Sequence, residues 1–445
     1  PSVIPNFNQA ISSIAGESES IYGVDGLLTV KDIYYSGQWR TVLIGGLRQG
    51  GKSYFALDVT NPDAPQHLFT FANESLTHGQ ISYWDASGVH YTYSTLSGAP
   101  TPVPTNLDYS GLGEAWSEPV ISLIPDQLGG TRWVALIGGG MNSGSGSYGS
   151  NLYVVDLESS IESGKIIETI SFGETKSSNS INNAVPQTVS VINGDSTSNF
   201  THTGVIAYFT DLDGILHKIN FTDSGTLYND GELYDTNTTK TNGRVPYFQT
   251  AATLSSSGVL RLFYGTGDML ELNNSDSAIS NRVHAIKDAN FPLITTSSTL
   301  TDSDLNDVTS ATETGTSCTG DSTAQGWYFD IGTDKVTASL TVNNSYVFVP
   351  RYTPTTGSSA CEVGNASISE HHFTCGTVER QTNLGPGVLS EVVIYKGKLY
   401  AGISSADPLA TTPAGFEKID NLIVGDPSAA VNVLVTVESW QELYP

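Results

Sequence analysis

The run Gly46-Leu-Arg-Gln-Gly-Gly51-Lys52-Ser53 has the spacing of a phosphate-binding loop, with glycines to bare the backbone N–H groups, a lysine and a hydroxyl. That chemistry needs a helix immediately after the loop, whose N-terminal N–H groups face the phosphates. The next residues are instead Tyr54-Phe-Ala-Leu-Asp-Val59, a strand pattern, and then the turn Thr60-Asn-Pro62. The glycines are therefore expected to close a hairpin by supplying positive φ.

Carboxylates are the next candidates. Asp302-Ser-Asp304-Leu-Asn306-Asp307, with Glu313 eleven positions after Asp302, imitates a helix-flanked calcium loop, but Asp307 stands where the sharp turn wants glycine. It is expected to be a solvated acidic loop. Asp211-Leu-Asp213-Gly214 reads first as a two-residue hairpin turn. Asn193, Asp195, Thr197, Asn199 and Thr201 place an oxygen-bearing side chain at every second residue between two strands. That spacing can wrap a hard cation such as calcium, although a single carboxylate is weak compensation for its charge. Of the eight histidines only His371 and His372 cluster, and neighbours on a strand point to opposite faces. No Gly-x-Ser-x-Gly turn joins a strand to a helix. Cys318, Cys361 and Cys375 allow one disulfide in three alternative pairings, as suits an exported domain.

The elements that must position these residues are strands. An apolar strand, a turn, a second strand ending in glycine and a third carrying an aromatic and an Asp or Asn recur along the chain. The clearest copies are Leu27–Tyr35 with Trp39–Gly46 and Tyr54–Val59, and Trp116–Leu123 with Trp133–Gly139 and Leu152–Leu157. Further copies begin at Thr188, Thr250, Val336 and Val388, roughly 65 residues apart where the pattern is clearest. One small sheet cannot bury both faces alone, so radial stacking of such sheets is the expected solution. Residues 73–112 read as an insertion, and residues 288–325 as a long loop of the kind that carries function on propellers. Trp39, Trp116, Trp133, Trp327 and Trp440 are expected in the core. Trp84, beside Tyr83 and Tyr91 in the insertion, is the expected exposed aromatic.

Composition agrees. The chain has 445 residues with 45 Gly, 19 Pro and 21 Tyr, only 14% charged residues, and no long helix-favouring stretch. The net charge of −26 opposes binding to phosphate backbones or anionic lipid, which argues against a nucleic-acid partner. No apolar run of roughly 18 residues is present to span a membrane as a helix. The opening Pro1-Ser-Val3 reads as a cut inside a longer protein.

The order of phrases carries a resemblance. Tyr22-Gly-Val-Asp25, Trp39–Leu47, Gly50-Gly51-Lys52 and Tyr54–Pro62 are followed by Trp116–Ile121, Asn142-Ser143-Gly144 and Leu152–Leu157. Asp211–Phe221, Phe263–Asp268, Gly326–Asp330, Tyr352-Thr-Pro354 and Glu438–Leu443 complete the series. In that order they are similar to the C-terminal propeller of the type IV pilus tip-associated adhesin and biogenesis family of PilC/PilY type. The resemblance implies an all-β, modified β-propeller of seven blades with long inserted loops, spanning residues 1–445 as one domain after an N-terminal region absent here. It implies export through the periplasm to the cell surface and pilus tip, and a role in pilus biogenesis, control of retraction, twitching motility and attachment. The implied partners are the N-terminal region of the same protein, minor pilins and a host-cell or abiotic surface receptor. Some members carry a nine-residue calcium loop in the third blade; it falls on Asn193 to Thr201 here, where only Asp195 keeps a carboxylate.

Two rival readings share the strand-rich look. A quinoprotein dehydrogenase would need clustered carboxylates around calcium and a quinone, and often adjacent cysteines, neither of which the sequence offers. A glycan- or solute-binding propeller unrelated to pili is opposed only by the ordered phrases. A non-enzymatic binding module is the expectation.

Overall fold

The computed structural model describes residues 23–74, 79–126, 130–141, 148–158, 163–172, 183–193, 204–222, 229–239, 241–255, 258–291, 298–310, 324–355, 363–405 and 413–427. Among them the regular structure is almost entirely β, in six consecutive, largely antiparallel sheets. The alternating, β-branched and aromatic segments read from the sequence form the middle strands of these sheets.

The first sheet runs Leu28–Tyr35, Gln38–Gly46, Ser53–Asp58, Gln66–Asn73, Gln80–Trp84 and His90–Ser94. Its first turn, Ser36-Gly37, has φ of 52° and 78°, the doubly left-handed geometry whose twist matches a two-residue hairpin. The second sheet comprises Val120–Pro125, Thr131–Gly138, Asn151–Asp156 and Ile166–Ser171. The third comprises Ser190–Asn193, Gly204–Thr210, Ile215–Thr222 and Asn229–Asp235. In the fourth, Asn306–Asp307 adds a short parallel edge to Ala251–Leu254, Leu260–Gly265, Asn281–Asp288 and Gly326–Gly332. The fifth is built on Tyr346–Thr353, Asn365–His372 and Val378–Pro386. The sixth orders Val393–Tyr395, Lys398–Gly402, Leu422–Gly425 and Phe416–Ile419 from one edge to the other.

Each sheet packs face to face on the next. One apolar cluster joins the first and second sheets, another the second and third, and others the third and fourth, fourth and fifth, and fifth and sixth. First strands of neighbouring sheets adjoin: Leu28–Tyr35 touches Val120–Pro125, which touches Ser190–Asn193. Hydroxyls bind them together near their starts. Thr29 donates to the Pro119 carbonyl at 2.6 Å, Ser117 to that of Gln187 at 2.8 Å, Ser190 to that of Thr250, and Thr337 to that of Leu389 at 3.0 Å. These contacts define a hub from which the sheets radiate, the arrangement of a β-propeller.

Three expectations need correction. Residues 73–112 are not a separate insertion: Gln80–Trp84 and His90–Ser94 widen the first sheet, and Leu107, Tyr109 and Leu112 fill the core behind it. Trp39 is 56% exposed, on a face of the first sheet, and Trp116 is half-buried because it lies outside the strands, ahead of the second sheet; Trp133 and Trp327 are core, and Trp440 lies outside the described residues. In the expected surface patch, Tyr83 is buried and donates to the Ser163 carbonyl at 2.7 Å. Trp84 is half-buried against the His90 ring, and Tyr91 is exposed.

Candidate functional site

In each antiparallel sheet the turn after the second strand and the segment entering the first strand lie at the same end. The glycine-rich and aromatic phrases of the sequence gather there. Gly46 ends its strand, Leu47 to Lys52 form the turn, and Ser53 starts the next strand. The phosphate-loop motif is thus a hairpin connection. Arg48 sits at φ 53°, and Gly50 passes so close to the Gly23 carbonyl that a Cβ would stand 1.8 Å from its oxygen. The turn is used for close backbone packing, with Arg48 bridging to Ala115 at the entrance to the second sheet.

Five side chains converge at this mouth of the hub. The Arg48 guanidinium lies 4.3 Å from the Trp116 ring centroid, and the Trp116 indole N–H donates to Glu114 Oε2 at 3.0 Å. Lys52 Nζ lies 3.7 Å from the Tyr148 ring centroid, without a hydrogen-bond partner. Burial pushes the Lys52 amine down to about 8, against the opposing pull of the Glu114 carboxylate. Met141, Ala184, Leu212 and Val245 form an apolar plug beside them, with Trp116 and Tyr247 packed against it. A cation–aromatic surface of this composition suits recognition, because its charges are held over ring faces rather than over a bond to be broken.

Deeper carboxylates are committed to protein donors. Lys218 Nζ is 2.6 Å from Asp288, which also accepts from the Tyr208 hydroxyl at 2.7 Å, and all three are buried. Asp211 Oδ2 lies 3.1 Å from His217 Nε2, while its other oxygen accepts from the Ile215 N–H across the hairpin turn closed by Gly214. In the expected acidic loop, Asp302 accepts from Arg282 at 2.6 Å and from the Tyr234 hydroxyl at 2.6 Å, with Arg244 3.5 Å away. Asp304 closes a capping box with Thr301, and Asp307 accepts from the Thr309 N–H. Asp302 thus docks the loop on the fourth sheet, while Asp304, Asn306 and Asp307 stay exposed as expected; Glu313 lies outside the described residues. No group of three or more His, Cys, Asp or Glu side chains among the described residues could hold a metal ion.

His284, buried between Tyr264 at 4.8 Å and Tyr234 at 5.5 Å, is held neutral: burial, then Arg282 and Arg244, depress its pKa well below the usual value. His371 and His372 point apart as expected. His371 is buried between Ser369 Oγ and the Gly376 carbonyl, with burial lowering its pKa to about 4, and His372 faces Cys375. Cys375 is disulfide-bonded, and Cys318 and Cys361 lie outside the described residues. Of the candidate cation loop, Asn193 ends the strand that pairs it with Val205; Asp195, Thr197, Asn199 and Thr201 lie outside the described residues. The hub-mouth cluster of Arg48, Lys52, Glu114, Trp116 and Tyr148 escaped the sequence reading, since its members come from three distant segments. The glycine-rich turn around Lys52 was its one local signal.

Comparison with known proteins adds a family resemblance. Residues 11–80 match the model of the PilY1 beta-propeller domain. The crystal structure of the Pseudomonas aeruginosa PilY1 C-terminal domain superposes with a TM-score of 0.56 at 16% identity, covering 89% of this chain and 85% of that one. Part of the chain is thus similar to a PilY1-type propeller, and the structural likeness shows the β-propeller fold. A type IV pilus biogenesis factor PilY1 homolog of Xylella fastidiosa is 33% identical over 141 residues, which is 32% of this chain and 7% of that protein. Type IV pilus biogenesis factor PilY1 of Pseudomonas aeruginosa strain UCBPP-PA14 is 44% identical over 62 residues, which is 14% of this chain and 5% of that protein. The matched stretches thus span less than a tenth of these relatives' lengths, and none of the helices among the described residues is long and apolar enough to cross a membrane.

Proposed function

We propose that this chain is the propeller module of a type IV pilus biogenesis factor and works by binding rather than by catalysis. What carries the reading is its identity to named pilus biogenesis factors, 44% over 62 residues in one of them. The module, residues 1–445 as one propeller, is exported through the periplasm and sits at the pilus tip on the cell surface. It is joined there to the N-terminal region of its own protein and to minor pilins. It presents its connecting segments to a host-cell or abiotic surface, and so supports pilus assembly against retraction, twitching motility and attachment. The hub-mouth cluster supports this reading chemically, since rings and cations held by packing offer a contact surface without a reactive constellation. One disulfide, with Cys375 as one end, serves as a structural cross-link.

The test is an in-frame deletion of the propeller in its host, scored for surface pili, twitching and attachment. Loss of all three is expected. Piliation, motility and attachment equal to the parent would overturn the proposal.

A further inference from the structure

The chain carries 45 acidic and 19 basic residues, so a cation without a carboxylate is the exception. Arg40, Arg132, Arg244, Arg282, Arg351 and Arg380 each lie within ion-pair distance of an Asp or Glu. Arg48 and Lys52, on one turn at the hub mouth, form no ion pair among the described residues; Arg48 lies over the Trp116 ring and Lys52 over that of Tyr148. The carboxylate beside them, Glu114, is held by the Trp116 indole N–H. It acts on Lys52 only through space, too weakly to offset the burial that lowers the pKa of the amine. Lys52 Nζ has no hydrogen-bond acceptor, and an ammonium drawn out of water without one is destabilising.

The backbone fixes this arrangement. The Arg48 N–H donates to the Ala115 carbonyl at 3.1 Å, and the Ala115 N–H to the Gly51 carbonyl at 3.1 Å, so the turn is clamped onto the segment that carries Glu114 and Trp116. Glu114 and Met141 exchange both backbone hydrogen bonds, at 2.8 and 2.9 Å, which ties that segment to the residues just after the strand Thr131–Gly138. A receptor whose backbone is pre-set binds without the entropic cost of ordering it. Each ring covers one side of its cation, so an anion approaches from the other, and the flexible lysine stem lets Nζ turn toward it. Two cations less the Glu114 carboxylate leave a single positive charge, which matches one carboxylate and falls short of a phosphate dianion. An acidic sugar needs a ring face to lie on, whereas the Trp116 ring carries Arg48 and packs against the apolar plug. A peptide carboxylate needs only the guanidinium fork and the ammonium.

We propose that Arg48 and Lys52 form a receptor for a single carboxylate of a partner polypeptide, either its C-terminus or an Asp or Glu side chain. The proposal rests on the reading of the hub mouth as a recognition surface and names what that surface takes. Ligand-observed NMR titration of the full chain tests it, with acetyl-triglycine carrying a free C-terminal carboxylate, its C-terminal amide, and glucuronate as probes. The free acid is expected to bind in the millimolar range, at least about tenfold tighter than the amide. Raising NaCl from about 0.05 M to about 0.5 M is expected to weaken it several-fold. Arg48→Met and Lys52→Met should each weaken the acid about tenfold, while Lys52→Arg, which keeps the charge, should retain it. If a methionine variant fails to fold, the difference between acid and amide in the parent chain still decides. Equal affinity for acid and amide, absence of acid binding, or acid binding unchanged in both methionine variants overturns the proposal. Glucuronate binding tighter than the peptide acid also overturns it and assigns the receptor to sugar acids. The pilus role is read separately: a chain that fails to bind the acid, yet whose deletion abolishes piliation, sinks this proposal alone. Acid binding with piliation unaltered by the deletion sinks only the pilus role.

Discussion

The gap between the first and second sheets and the gap between the third and fourth are filled by the same stacking geometry with different chemistry. The first is apolar and aromatic: Phe71 stacks on Tyr109 at 3.7 Å and 2°, with Phe69, Ile81 and Trp133 in the same cluster. Its polar atoms are phenol and indole tips that reach backbone carbonyls, as Tyr109 does to Gly164 and Trp133 to Tyr34. The second gap holds Leu216, Leu262 and Ile286, but also the Lys218–Asp288 pair, the Arg282–Asp302 pair and the neutral His284. An apolar gap loses stability in proportion to what is removed from it. A gap holding buried charge depends on every partner being in place, since a charge left alone in low dielectric costs more than the pair contributes. Blades can thus be equally well packed and unequally tolerant.

The largest expected effect follows from that difference. Asp288→Ala removes the carboxylate that holds the Lys218 ammonium and the Tyr208 hydroxyl, and should destabilise the domain by about 3–5 kcal/mol in chemical denaturation. A double variant that also makes Lys218→Met should recover much of the loss; equal loss in both would show that the pair's charge is not what matters. Next comes pH. His371, in the gap between the fourth and fifth sheets, has its folded pKa lowered from 6.5 to about 4 by burial, so the unfolded chain binds the extra proton first. Stability is then full above about pH 6.5 and falls as pH drops toward 4, by about 1.4 kcal/mol per unit over that window. His284 acts in the same direction, and His284→Phe should flatten the slope measured by thermal melting between those pH values. The half-buried His67 of the first sheet, its pKa lowered by burial, adds to the slope in the same direction.

A smaller effect tests the apolar side. Phe71→Leu keeps the gap apolar while losing the ring stack on Tyr109, and should cost about 1–2 kcal/mol with no pH dependence of its own. A pH-dependent cost would break the contrast between the gaps. Smallest of all is calcium. Asp195 is the one carboxylate in the Asn193–Thr201 run, so millimolar calcium should move the melting temperature by less than about 1 °C. A clear upward shift would show a working cation site after all.

Much of the fold was legible because strand patterning is local. Leu260–Gly265 and Lys398–Gly402 appear where alternation and terminal glycines put them, and Gly46 to Ser53 closes a hairpin because a strand pattern comes directly after it. Legibility failed where a residue's role depends on what stands across from it. Trp39 carries the same strand signature as Trp133, yet one is exposed and the other is core, since only the second has a blade over it. Residues 73–112 look like a polar insertion, but Tyr109 and Leu112 become core because Gly164 leaves room beside Phe69 for the first and second sheets to close.

By itself the sequence determined the class of structure, the pitch of its repeats and the kind of surface a strongly acidic chain presents, because backbone preference, side-chain period and net charge need no neighbours. Only the tertiary structure decided which carboxylates were spent on Arg282 and Lys218, which tyrosines reached carbonyls, and which lysine was drawn out of water over an aromatic ring. Those outcomes rest on distances between segments tens of residues apart. Solvation and Coulomb energies depend on such distances, and no local pattern encodes them.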